Sequence, residues 1–374
     1  MTDLRMFSVV RTAIAGLTVA FLPIAAHAAT SFAPAVNYAT GSFAGPGPSA
    51  QSMISVDVNN DGYPDIVAAE WQGTGFQTFI NQRDGTFGPA IETSLGSGTN
   101  SVASGDFDGD GRTDIAVTTS NAVIIMRGNG NGTFTKGDSY TFSPAGQIVA
   151  YTFDVNRDGR LDLVVPVSRG VQTFLGQGNG HFVTGPLTQV TALISALAPA
   201  NFNNDGIADL VVADASAQQV IMMRGNGDGS FTQFATSPVG LGPEDVIAGD
   251  LNGDGIDDIA TADSFSFTMS VLLSNGKGGF SPATRYTGVS GPVSLRLADF
   301  NHDGRLDIAV ASVVSSSVQV YTNSGGGQFS TTPLSMSVSG QPQTPAIADY
   351  NLDGKPDIAV AGPGTMSVLR NTSP

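Results

Sequence analysis

The sequence predicts an all-β chain: a seven-bladed β-propeller of four-stranded blades, closed by an N-terminal strand that completes the last blade. Three observations predict it. First, the pattern D-x-[ND]-x-D-G-x-x-D, followed by a short apolar run, occurs seven times, starting at Asp57, Asp106, Asp154, Asn201, Asp250, Asp299 and Asp349. Second, a Gly/Asn-rich turn ending in Phe follows 28 to 30 residues after six of these starts, at Phe87, Phe134, Phe182, Phe231, Phe280 and Phe329. Third, the seventh copy ends before its turn, while the segment from Phe32 to Tyr38 resembles the stretches that begin at Phe87 and Phe280. The first strand therefore belongs with the last repeat. Closing a ring in this way removes the exposed sheet edges that a linear array of blades would leave.

Each repeat is read as four strands. Strand A precedes the acidic loop, as in Ser101–Ser104, and strand B follows it, as in Asp114–Val117. Strand C is the next apolar run, Val123–Met126, and the turn Gly128–Gly132 leads into strand D at Phe134. Glycine and asparagine tolerate the left-handed backbone that such hairpin turns require. The chain holds 47 glycines in 374 residues, which suits many short strands, and no stretch of the mature chain carries helical periodicity.

The acidic loops have the composition of oxygen-only cation sites. Side chains at positions one, three, five and nine can converge on one point, the carbonyl of position seven adds a further oxygen, and glycine at position six permits the bend. The expected ligands are Asp57, Asn59, Asp61 and Asp65 with the Tyr63 carbonyl in loop one, and Asp106, Asp108, Asp110 and Asp114 with Arg112 in loop two. Loop three offers Asp154, Asn156, Asp158 and Asp162 with Arg160; loop four, Asn201, Asn203, Asp205 and Asp209 with Ile207. Loop five offers Asp250, Asn252, Asp254 and Asp258 with Ile256; loop six, Asp299, Asn301, Asp303 and Asp307 with Arg305; loop seven, Asp349, Asn351, Asp353 and Asp357 with Lys355. Hard oxygen donors favour calcium over zinc or copper. The expectation is up to seven Ca²⁺ ions, one per blade, with blade four weaker because Asn201 replaces the first aspartate. An EF-hand is excluded by the apolar residue at position twelve (Ala68, Val117, Val165) and by the strand that follows.

These residues resemble the FG-GAP or VCBS-type repeat, best known from integrin α chains, in its bacterial style. Asp106-Phe107-Asp108-Gly109-Asp110-Gly111-Arg112-Thr113-Asp114-Ile115 and its six sisters carry the resemblance, and Phe87-Gly88 carries the name-giving pair. The resemblance covers essentially the whole mature chain. It implies a calcium-stabilised propeller that binds something outside the cell; integrin receptor function does not carry over, because no integrin leg domains accompany the repeats.

Composition narrows the partners. The formal net charge of −16 argues against nucleic acid and anionic membranes. Twenty-one of the 32 acidic residues stand at ligand positions of the seven loops, so bound divalent ions would neutralise most of the excess. No cysteine is present, which excludes disulfides and thiolate chemistry. Residues 1–28 read as a secretory signal peptide: Arg5 and Arg11 flank an apolar stretch, Thr12–Ile24, and Ala26-His27-Ala28 matches a cleavage site. Residues 29–374 then form one exported propeller, secreted or held in the cell envelope, with no membrane insertion and expected to be monomeric.

Propeller geometry assigns the acidic loops and C–D turns to one rim, and the B–C and D–A loops, which vary between repeats, to the other. On the variable rim Glu70, Trp71, Asp214, Asp263, Phe265 and Phe267 are the candidate ligand-binding residues. The two mature histidines, His181 and His302, stand in turn and loop positions without a catalytic context. The sequence thus points to a non-catalytic recognition or adhesion module for an extracellular glycan or protein. The alternatives are a calcium-assisted polysaccharide hydrolase or lyase, and a passive docking module in an envelope complex.

Overall fold

The computed structural model describes residues 29–40, 53–70, 73–143 and 149–374. The proposed signal peptide and Trp71 lie outside the described residues. Seven antiparallel four-stranded sheets follow one another around a ring. Blade two shows the plan: strand A (Ser101–Gly105), strand B (Asp114–Thr118), strand C (Ala122–Gly128) and strand D (Phe134–Thr141), each paired with the next.

The last blade is composite. Pro345–Ala348, Asp357–Gly362 and Thr365–Leu369 supply its strands A to C, and Val36–Ala39 pairs with the third as strand D, from Val36↔Val368 to Ala39↔Thr365. A further bridge joins Phe32 to Asn371, and the Ala33 N–H donates to the Arg370 carbonyl at 2.8 Å. The ring therefore closes by backbone hydrogen bonds, as the offset of the repeat predicts.

Burial explains the sequence pattern of each strand. The B strands are buried on both faces, so they read as continuous apolar runs such as Asp-Ile-Ala-Val-Thr in blade two. The outer D strands alternate between exposed and half-buried residues, as in Ile91–Ser94 and Leu334–Ser337, because only one face meets a neighbouring blade. Among the described residues the buried apolar side chains form seven clusters, each centred on the junction between adjacent blades, including the junction between blades seven and one.

The phenylalanine of the second motif belongs to those junctions. It packs edge-on against the residue at loop position two of the preceding blade in Phe182–Phe107, Phe280–Phe202 and Phe87–Tyr350, with ring centroids 5.4, 5.0 and 5.2 Å apart. Phe32, at the N-terminal strand, repeats the contact with Phe300 at 5.8 Å. That contact independently assigns the N-terminal segment to blade seven.

Candidate metal centre and variable rim

Each acidic loop is built by its own side chains. The residue at position three accepts the N–H of position five, and position five accepts the N–H of position seven, in all seven loops; in loop one these are Asp61 N–H to Asn59 (3.0 Å) and Tyr63 N–H to Asp61 (3.0 Å). The first aspartate accepts the N–H groups of positions five and six, for example Gly62 N–H to Asp57 Oδ2 at 2.8 Å. The same arrangement holds at Asp106, Asp154, Asp250, Asp299 and Asp349. Loop four differs: the Oδ1 of Asn201 is buried and accepts no hydrogen bond among the described residues.

Glycine at position six has positive φ throughout, from +72° at Gly206 to +87° at Gly354. Position four is also left-handed in every loop, and there the sequence carries no uniform signal. Gly109 and Gly253 suit it, but Asn60, Arg157, Asn204, His302 and Leu352 hold φ between +55° and +63°. For a bulky side chain such as Leu352 this conformation is strained.

The ninth aspartate is buried in every loop. Its Oδ2 accepts the N–H of position two and its Oδ1 accepts an N–H at the end of strand C. At Asp307 these are Phe300 N–H (3.1 Å) and Asn323 N–H (2.7 Å), and the pair recurs at Asp65, Asp114, Asp162, Asp209, Asp258 and Asp357. Burial pushes the carboxyls of Asp65, Asp258, Asp307 and Asp357 up to about 6, opposed by these hydrogen bonds and reinforced by the other aspartates of each loop.

Where strand C ends in asparagine, the connection continues into the preceding blade. Asn323 Nδ2 donates to the Leu251 carbonyl of blade five at 2.8 Å, Asn371 to Phe300 of blade six at 2.9 Å, and Asn81 to Tyr350 of blade seven at 2.8 Å. These three clamps are structural residues that sequence reasoning missed. Their partners lie in another repeat, and blades two to four have glycine at the equivalent position (Gly128, Gly176, Gly225).

The loops fit a hard cation by their donor chemistry: carboxylate and amide oxygens, with no nitrogen or sulfur ligand. In loop two the carboxylate oxygens of Asp106, Asp108 and Asp114 lie within 4.8 Å of one another, from an exposed first residue to a buried last one, and can hold a metal ion. This is the one such group of acidic, histidine or cysteine side chains among the described residues. Loop two is distinguished by Asp108, because position three is asparagine in the other six loops.

On the variable rim the proposed ligand residues separate into two sets. Glu70, Asp214 and Asp263 face inward and are buried. Asp214 accepts the N–H groups of Leu193, Ser216 and Ala217 and the Gln219 amide; burial alone would raise its carboxyl, and the Ser216 and Gln219 bonds hold it below the usual range. Asp263 accepts hydroxyl bonds from Thr261, Thr268 and Ser270, and burial keeps it raised despite them. Burial also raises Glu70, with Glu92 adding repulsion. Asp214 and Asp263 thus shape their loops rather than present charge to a ligand.

The aromatic pair behaves differently. Phe265 is 74% exposed and Phe267 is 50% exposed, with φ of +54°. Leu241 and Val314, on the same rim in the neighbouring loops of blades five and six, are also exposed. The B–C loops of blades four, five and six share one geometry, with left-handed Gln218, Phe267 and Ser316 at the matching position.

A closed ring of seven four-stranded blades, each opening on an acidic Asx-rich loop, defines a β-propeller with repeated cation-type loops. The model of the FG-GAP-like repeat matches residues 57–117, 106–165, 154–212, 201–261, 262–310 and 299–360, and the chain belongs to that family. No curated protein matches it. Many solved structures share the fold, among them the following two. The propeller of BBS1N, crystallised in complex with ARL6DN, is 11% identical with a TM-score of 0.64, covering 91% of this chain and 96% of that one. A lectin from Agrocybe aegerita, described as recognising non-reducing terminal N-acetylglucosamine, is 18% identical with a TM-score of 0.54, covering 87% and 86%.

Proposed function

We propose that the chain is exported and acts as a non-catalytic recognition module, with Ca²⁺ in its acidic loops and an extracellular protein or glycan bound on the rim of blades four to six. The observation that carries this reading is the pair Phe265 and Phe267. Two large aromatic side chains stand in solvent, and Phe267 keeps a backbone conformation that glycine would adopt without cost. With exposed Leu241 and Val314 nearby, these faces offer an apolar platform that a ligand can cover.

Calcium serves this rim indirectly, by pinning the opposite ends of the blades. Ions in the loops would be held by positions one, three, five and nine with the carbonyl of position seven, weakest in blade four where Asn201 supplies no charge. The inward-facing carboxylates of the variable rim support a binding role over polysaccharide hydrolysis, which needs two carboxyl groups presented to the substrate. Relatives of the fold bind a protein partner in one case and a sugar in the other, which agrees with either ligand class here. Export is supported by the basic flank, apolar stretch and Ala26-His27-Ala28 site of residues 1–28.

The test is retention of the chain from Ala29 onward on a panel of polysaccharides and extracellular protein fractions, in calcium and in chelator. Calcium-dependent retention that is lost in Phe265→Ser/Phe267→Ser supports the reading. Release of soluble sugar would overturn its non-catalytic part, and retention unaffected by the double substitution would overturn the assignment of the rim.

A further inference from the structure

Beyond that reading, the variable rim carries a cavity away from Phe265, at the junction of blades two and three. In blades four, five and six the B–C loop has four residues, as between the paired Asp263 and Thr268. Phe265, in the loop of blade five, lies against Gly242 of the entering D–A loop. Blade three makes the same connection with a two-residue turn, Ser168-Arg169, between the paired Val167 and Gly170. The Ser168 N–H donates to the Ser143 carbonyl of the entering segment at 3.2 Å. The shorter turn covers less of the junction, and a cavity of about 230 Å³ opens there, walled on its apolar side by Phe142, Phe174 and Leu187.

We propose that this cavity binds a single uronate unit, a sugar ring that carries one carboxylate. Its polar side is rich in unused hydrogen-bonding groups. The hydroxyls of Thr141, Ser143, Ser168 and Thr184 line it and bond to no other group among the described residues. Gln172 is held in place: its Nε2 donates to the carbonyls of Thr173 (3.0 Å), Gly185 (2.9 Å) and Pro186 (3.2 Å), beside the register shift between strands C and D. The amide is thereby oriented, and its Oε1 is left to accept. Arg169 supplies the one charge of the lining, and no ion pair or hydrogen bond engages its guanidinium among the described residues. No carboxylate lines the cavity, so it offers a cation nothing. A wholly apolar ligand would strip the hydroxyls of water without replacing it. A sugar ring answers both walls, with hydroxyls for one and a C–H face for the aromatic side. The planar fork of Arg169 matches a carboxylate. The net charge of −16 disfavours a polyanionic chain, which leaves one uronate, as at the end of a glycan.

The probes are methyl glucuronide and methyl galacturonide, each beside its neutral parent, methyl glucoside or methyl galactoside. Binding is followed by saturation-transfer NMR on the calcium-loaded chain from Ala29 onward. At least one uronide should bind about 10-fold or more tightly than its neutral parent. Arg169→Gln should abolish that preference. Thr184→Ile removes a hydroxyl and narrows the cavity with a side chain that a strand accepts, and should weaken the uronide by about 10-fold. Arg169 and Thr184 are both exposed, so neither variant threatens the fold. Phe265→Ser should leave uronide binding unchanged, so this site and the rim of blades four to six can fail separately. No transfer to either uronide, equal binding of the neutral parents, a preference that survives Arg169→Gln, or unchanged binding in Thr184→Ile overturns the proposal.

Discussion

Asp307→Ala tests whether the ninth aspartate is chiefly a structural pin. The substitution removes the acceptor of two buried backbone donors, Phe300 N–H at 3.1 Å and Asn323 N–H at 2.7 Å. A buried donor left without a partner costs about 1–3 kcal/mol, so two cost about 2–6 kcal/mol. Losing the second bond also loosens Asn323, whose side chain clamps blade six to Leu251 of blade five and to Leu306 of its own blade. Against this stands the relief of removing a carboxylate whose burial raises its pKa, which places the expected loss toward the lower half of that range. Urea denaturation of the metal-free chain at neutral pH, with wild type beside it, measures the loss directly. If Asp307→Ala costs less than about 1 kcal/mol in chelator, the pin argument is wrong. A deficit seen only when calcium is present would identify Asp307 as a metal ligand without that structural duty.

The pinned carboxylates also set a pH dependence. Asp65, Asp258, Asp307 and Asp357 sit at about 6 in the folded chain against 3.8 as the ordinary value, so the folded state holds protons more tightly. Their contribution to stability is full below about 4 and is lost as pH rises through 6. The metal-free chain should therefore melt higher at pH 5 than at pH 7, while the increment in melting temperature given by millimolar calcium should be smaller at pH 5 than at pH 7, because protons compete with the ion for these carboxylates. Leu352→Gly relieves a left-handed residue at loop position four and should stabilise the chain by up to about 1 kcal/mol, read by urea denaturation. Phe267→Gly should be similarly stabilising while reducing retention on the ligand, a separation of stability from function that simple unfolding would not produce. Calcium titrated by calorimetry should fill loop four last, and Asn201→Asp should strengthen that site.

The repeats made the architecture readable because they state each blade several times over. The interval between acidic motifs, the recurring phenylalanine and the misplaced copy at Phe32 sufficed to place strands A to D and to close the ring. What remained hidden was contact between repeats. Asn81, Asn323 and Asn371 look like variable turn residues until their amides are found on carbonyls of the preceding blade. Position four of the loops was unreadable for a different reason: Arg157, His302 and Leu352 occupy a conformation for which their side chains give no signal. Glu70, Asp214 and Asp263 drew notice as rim carboxylates, yet burial decides their role, and burial of a short loop depends on how the adjoining loops fold over it. Arg224, exposed near the end of strand C, also stacks its guanidinium 5.5 Å over the ring of Phe234, a contact between strands that the repeat pattern does not state.

The composite seventh blade imposes an order on assembly. Asn37 bonds Ser367, 330 positions away, and bringing such distant segments together costs an unstructured chain about 5 kcal/mol of loop closure. That cost falls if the intervening blades have already stacked and carried the two segments close together. The strand synthesised before all the others is thus the one that docks last, and until it does, the edge of Thr365–Leu369 stays open.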